Sequence, residues 1–191
     1  MYRYVAFLRG VMPANARMSD LVACFVTAGF SNVKSVLGSG NVVFAVRELS
    51  ESAVERKAEK AMSECLSRSF YTIARATHAL EDLLARDPFA AFKLAPGAKR
   101  VVSFLREEPS KKLLLPMERD GARVLAVVGR EILTAYQPSP RGPVFMELLK
   151  ELFGEQLTTR TWDTLKKVAA AATPASGGKP GPRGKTRHAG Q

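Results

Sequence analysis

Apolar positions recur along the chain with two periods, and the switches between them mark out the elements. Tyr2–Leu8 is a short run of β-formers and reads as a strand. Leu21, Phe25 and Ala28 follow at helical spacing behind Ser19 and Asp20, a cap and a first-turn acid, and Gly29 stops that helix. Val33–Leu37 and Val42–Val46 are two further β runs around the tight connection Gly38-Ser39-Gly40-Asn41. Val54, Ala58, Ala61, Met62 and Cys65 form one apolar stripe, which predicts a second helix, and Ser52 with Glu55 has capping-box spacing. Phe70–Ala74 reads as a fourth strand. A connecting helix over Ala79–Arg86 ends at Pro88.

The alternation then begins again. Arg100–Leu105 reads as a strand and Ser110–Leu115 as a short helix between Pro109 and Pro116. Arg123–Val128 and Glu131–Tyr136 form a hairpin around Gly129-Arg130. Phe145, Leu148, Leu149 and Leu152 mark a helix ended by Gly154. Trp162, Leu165, Ala169 and Ala172 mark the last one. The order is βαββαβ followed by βαββα with a final helix. That predicts an α+β fold of two ferredoxin-like subdomains with mainly antiparallel sheets. The expected divisions are 1–76, a connecting helix and loop over 77–98, a second subdomain over 99–172, and a basic tail over 173–191. The element order repeats, but no residue-level repeat is evident.

Composition narrows the class of function. Of 191 residues, 46% are apolar and 25% charged, so the chain is ordinary for a globular protein. The net charge of +11 favours an anionic partner. The tail carries Lys179, Arg183, Lys185 and Arg187 with no acid and is rich in Gly and Pro, so it is expected to be disordered and can touch nucleic acid. No run approaches the length of a spanning helix, which argues against a membrane partner. With two cysteines, no CxxC pair and two histidines, no metal site and no cofactor are expected. Cys24 and Cys65 read as buried structural thiols. The absence of a targeting signal and of paired cysteines predicts a cytoplasmic protein.

Three polar groups carry the candidate chemistry. The amides of Gly38-Ser39-Gly40-Asn41 can form an anion-binding nest, although the segment is neither a dinucleotide fingerprint nor a P-loop. Arg9-Gly10 ends the first strand, where a guanidinium can meet a carboxylate or phosphate. Thr158, Thr159 and Arg160 precede Thr161, a good N-cap. The candidate contacts are therefore Arg9, Gly10, Ser39, Gly40, Asn41, Thr158, Thr159 and Arg160. The expected ligand is a small anion or a protein partner, bound without catalysis. Nucleic acid is the alternative, although Asn41–Val46 lacks the aromatic pattern of RNA-binding sheets. No nucleophile–base or carboxylate pair is visible, so the residues point away from an enzyme. If there is one, His78 or Asp163 beside Arg160 is the arrangement to look for.

Tyr4-Val5-Ala6-Phe7-Leu8-Arg9-Gly10, Leu37-Gly38-Ser39-Gly40-Asn41-Val42-Val43-Phe44 and Thr158-Thr159-Arg160-Thr161-Trp162-Asp163-Thr164, with Asp87-Pro88-Phe89 between, resemble the bacterial domain of unknown function 1697 family. The resemblance covers residues 1 to about 172. It implies a two-part α+β fold with a ferredoxin-like first half, and no established activity. Family members usually follow the first Arg-Gly with a Gly-rich loop, which Val11, Met12, Pro13 and Ala14 replace here. Their usual Asn-Trp-Asn is Thr161-Trp162-Asp163, and Asp163 adds a charge that opposes an anion.

Overall fold

A computed structural model describes residues 1–47, 50–110, 113–140, 142 and 144–173. The expected disorder of the tail lies outside these residues, apart from Thr173. The fold is mixed α+β, with two antiparallel sheets and five α-helices.

The first sheet contains β1 (Tyr2–Leu8), β2 (Ser31–Ser35), β3 (Asn41–Val46) and β4 (Thr72–Ala76) in the order β2-β3-β1-β4. Helices α1 (Met18–Thr27) and α2 (Glu51–Leu66) cover its outer face. There Leu21, Phe25, Val54, Ala58 and Met62 bury against Ala6, Leu8, Val42 and Phe44. The expected caps shift. Ser50, not Ser52, caps α2 by accepting from Ala53 N–H. Arg17 starts α1 without a side-chain cap. Cys65 falls in the last turn of α2, past the end of the apolar stripe, and is exposed. Cys24 is buried.

Helix α3 (Thr77–Arg86) follows β4 directly, and a 3-10 turn at Pro88–Ala91 leads to the second half. Its sheet contains β5 (Lys99–Leu105), β6 (Met117–Arg119), β7 (Ala122–Val128), β8 (Glu131–Tyr136) and β9 (Leu157–Thr161), in the order β6-β7-β8-β5-β9. Helix α4 (Phe145–Phe153) packs on its outer face, and α5 (Trp162–Ala172) follows β9. The expected helix over Ser110–Leu115 is not seen at its described residues, Ser110 and Leu113–Leu115, which are bends and coil; Pro116 disfavours the α region for Leu115 before it. β6 and β9 were not expected. Polar Thr158, Thr159 and Arg160 mask β9, because their partners lie across the chain and not beside it in sequence.

The two inner faces pack on each other. Phe7 and Phe104 stack with ring centroids 4.5 Å apart, and Val5, Ile73, Val102 and Leu133 surround them. Helices α3 and α5 lie side by side and close the same core with Leu80, Leu83, Trp162 and Leu165.

The halves are duplicates. Reading β4-β1-β3-β2 against β9-β5-β8-β7 gives the same neighbour order, with α2 matched by α4 and α3 by α5. With the strands and their registers matched in this way, Val5-Ala6-Phe7-Leu8-Arg9 corresponds to Val102-Ser103-Phe104-Leu105-Arg106. A residue-level repeat therefore exists, contrary to the expectation. It is short, and differing loop lengths put it out of step elsewhere.

Candidate functional site

Strand alternation turns Thr158 and Arg160 to the inner face of β9, opposite Phe104 and Val102. From there the Arg160 guanidinium enters the junction of the sheets and is only 8% exposed. Its Nε donates to Asn41 Oδ1, and its Nη1 donates to Thr158 Oγ1 and Thr159 O, both at 2.8 Å. Its Nη2 donates to Leu8 O and Ser39 O at 2.9 Å and to Gly40 O at 3.3 Å. All five N–H groups are thus engaged, and the cation also lies 5.5 Å from the Phe7 ring centroid. Asn41 is oriented for this contact by giving its amide to Val36 O and Ser39 Oγ.

The structure therefore brings Ser39, Gly40, Asn41, Thr158, Thr159 and Arg160 together, and Leu8 O places Arg9 one residue away. No member of the cluster around Arg160 is a carboxylate. Burial lowers the Arg160 pKa to about 10, and the group stays charged at neutral pH. Arg160 is a structural cross-link whose own hydrogen bonds are filled, so it keeps its charge but offers no free N–H.

The groups free to touch a ligand lie around it. Arg9 is half-buried, and its guanidinium has no partner among the described residues. The amides of Gly38, Ser39 and Gly40 likewise have no acceptor among the described residues, and Gly38 and Ser39 are exposed. Gly40 has φ +73°, and a Cβ there would stand 2.9 Å from Val11 Cβ, so only glycine closes this turn. Gly10 is exposed, and its carbonyl is tied by Asn15, whose Oδ1 also takes Met12 N–H. Asp163 is an exposed side chain paired with Lys166 at 3.7 Å. His78 lines a cleft of about 220 Å³ around Arg75, so it does not stand beside Arg160.

The duplicate of this cluster, which the sequence reading missed, is built on Arg75. Arg75 is 3% exposed and lies 5.6 Å from the Phe104 centroid. Its Nη1 donates to Ala74 O at 2.8 Å and its Nη2 to Leu105 O, as Arg160 does to Thr159 O and Leu8 O. Glu131 stands where Asn41 stands in the other half and binds Arg75 Nε at 2.6 Å. Glu51 adds a second carboxylate at 3.7 Å, itself held by Arg130 at 2.6 Å. Two signals in the sequence mark this cluster: the short Val-x-Phe-Leu-Arg repeat, and Glu51, Glu55 and Glu59 at four-residue spacing on α2.

Among the described residues no cluster of His, Cys, Asp and Glu could hold a metal ion, and no helix is long and apolar enough to cross a membrane. Residues 1–132 match the family described as a protein of unknown function, DUF1697. The chain belongs to that family. The DUF1697 match covers all of the first half and the second half through Ile132. The chain is also similar to the solved structure of a conserved bacterial protein, SP0830, from Streptococcus pneumoniae, with a TM-score of 0.65 and 18% identity over 90% of this chain and 98% of that one. At that identity the likeness shows the fold, and it extends past the residues matched to DUF1697. Comparison with curated proteins finds no match.

Proposed function

We propose that this protein is a non-catalytic binding module for an anionic partner, engaged where Arg9, the Gly38–Gly40 turn and β9 meet above Arg160. One observation carries the reading. Two buried arginines occupy duplicate positions, and only Arg75 is neutralised by carboxylates. A buried cation without a counter-charge leaves a positive potential at the surface above it, and Arg9 adds to that potential. An anion there recovers Coulomb energy that the chain itself leaves unused. Asp163 lies close in sequence, but it is solvated and shared with Lys166, which blunts its opposition. The two unpaired cysteines support a reducing, cytoplasmic setting.

The test is a titration of the 15N-labelled protein with inorganic phosphate and with glutarate. Saturable shifts of the Gly38, Ser39 and Gly40 amides are expected, and Arg9→Gln is expected to weaken binding about tenfold. No saturable shift at these amides, or shifts indifferent to Arg9→Gln, would reject the reading. Nucleic acid is the second reading, supported by the net charge of +11. Its signature is oligonucleotide binding whose log K falls steeply with log salt concentration.

A further inference from the structure

The two halves treat their outer strand edges differently. β4 is the last strand of its sheet, and such an edge exposes every second N–H. Here α2 covers it. Glu51 Oε1 accepts from Ala76 N–H at 3.0 Å, Glu55 Oε1 from Ala74 N–H at 2.9 Å, and Glu59 Oε1 from Thr72 N–H at 2.9 Å. The spacing explains the fit. Four helical residues rise about 6.0 Å, and two strand residues advance about 6.7 Å. Carboxylates one turn apart therefore meet alternate amides, and the flexible Glu side chains absorb the difference. Arg106 clasps the outside of this ladder. It binds Glu59 and Thr72 O, stands 3.3 Å from Glu55, and lies over the Tyr71 ring at 4.1 Å.

β9 is the corresponding edge of the second sheet. Leu105 gives its N–H to Arg130 O on the β8 side. Alternation then points the Val102 and Phe104 amides at β9, where they face Arg160 and Thr158. The N–H groups of Thr159 and Thr161 are left pointing outward, while Leu157 gives its own to Glu155 O. No acceptor for Thr159 or Thr161 N–H exists among the described residues. α4, the counterpart of α2, packs on β7 instead. Its two acids, Glu147 and Glu151, are exposed, with Glu151 held by Arg119, and Glu155 beyond its end is held by Lys150. Arg9, the duplicate of Arg106, has nothing to clasp.

We infer that the β9 edge is a docking site for an acidic helix of a partner protein. Two carboxylates one turn apart take the Thr159 and Thr161 amides, which match the Ala74 and Ala76 amides held by Glu55 and Glu51, and Arg9 reaches the carboxylate on Thr159 as Arg106 reaches Glu55. The inference rests on the anion-binding reading above and names its partner. The occupant's chemistry is read from the same chain: one half shows what this backbone edge and this arginine accept, and the other half presents both without the acids. Charge complementarity supports it, because Arg160 supplies a buried positive charge behind the edge.

The probe is a stapled, alanine-rich helix of about 15 residues, a length near the limit for an isolated helix. It carries two glutamates four positions apart. One control places them two apart, and another replaces both with glutamine. With the full 15N-labelled chain, the four-apart peptide is expected to bind at least tenfold more tightly than either control. It should also shift the Thr159 and Thr161 amides downfield and slow their hydrogen exchange. Arg9→Gln, which keeps a side chain of polar end and similar stem at this half-buried position, should lower its affinity about tenfold. Equal affinity for the two spacings, or unmoved Thr159 and Thr161 amides, would overturn the docking inference. If phosphate still binds with Arg9 dependence in that case, the anion-binding reading survives alone. If Arg9→Gln alters neither ligand, both fail.

Discussion

Replacing each buried arginine with methionine tests the asymmetry between the halves directly. Arg160→Met keeps most of the volume and removes the charge and five donors. Of the acceptors it deserts, those of Ser39 and Thr159 can be rehydrated, and Thr158 can reorient its hydroxyl. Asn41 Oδ1 and Leu8 O cannot, since both residues are essentially fully buried. At about 1–3 kcal/mol for each stranded acceptor, and with the guanidinium's desolvation cost recovered, the net loss is about 3 kcal/mol. For a domain of this size that lowers Tm by roughly 6–12 °C. Arg75→Met strands the Glu131 carboxylate and costs about 3–5 kcal/mol. The assay is urea unfolding of the three proteins at neutral pH. An Arg160→Met loss below about 1 kcal/mol, or an Arg75→Met loss smaller than that of Arg160→Met, would refute the reasoning.

Three further outcomes follow from the geometry. Gly40→Ala forces a Cβ to within 2.9 Å of Val11 at a left-handed backbone position, and is expected to cost about 3 kcal/mol in chemical denaturation. Burial raises the Glu55 carboxyl above its ordinary value of 4.5, against the pull of Ala74 N–H, Arg106 and Arg75. Its folded pKa exceeds the unfolded one, so its contribution is full below 4.5 and is lost as pH rises through the folded value; Glu55→Gln should gain stability relative to the parent across that window, and a flat difference would contradict it. Burial pushes the Cys24 thiol up to about 11 while Cys65 is exposed, so iodoacetamide at mildly alkaline pH should modify Cys65 first, as intact and peptide mass spectra would show.

The carboxylate ladder on β4 bears on both stability and function. It protects an edge that would otherwise pair with other chains, and it does so with charged groups that also join the sheets through Arg75, Arg106 and Arg130. The same device cannot form on β9, because α4 starts late and lies on β7. The difference between α2 and α4 in two otherwise matching halves thus leaves one edge closed and, among the described residues, the other uncovered.

Elements governed by neighbouring residues were legible in the sequence. The α2 stripe, the hairpin at Gly129-Arg130 and the Thr161 cap, which accepts from Thr164 N–H at 3.2 Å, all depend on contacts within a few positions. The polar residues of interest were legible too, since Ser39, Asn41 and Arg160 stand at element ends. Their roles were not. Arg160 reads locally as a loop cation available to a ligand, and only packing shows it buried against Asn41, 119 positions away, with every N–H taken. Glu55 reads as the capping-box partner of Ser52 until β4 is laid beside α2 and its carboxylate meets Ala74 N–H. β9 was hidden for the same reason, since its pairing with β5 spans more than fifty residues. Periodicity reports which face of an element is apolar, whereas a buried ion or a strand edge is defined by what lies opposite it. That opposition is decided only when the two sheets close over Phe7 and Phe104.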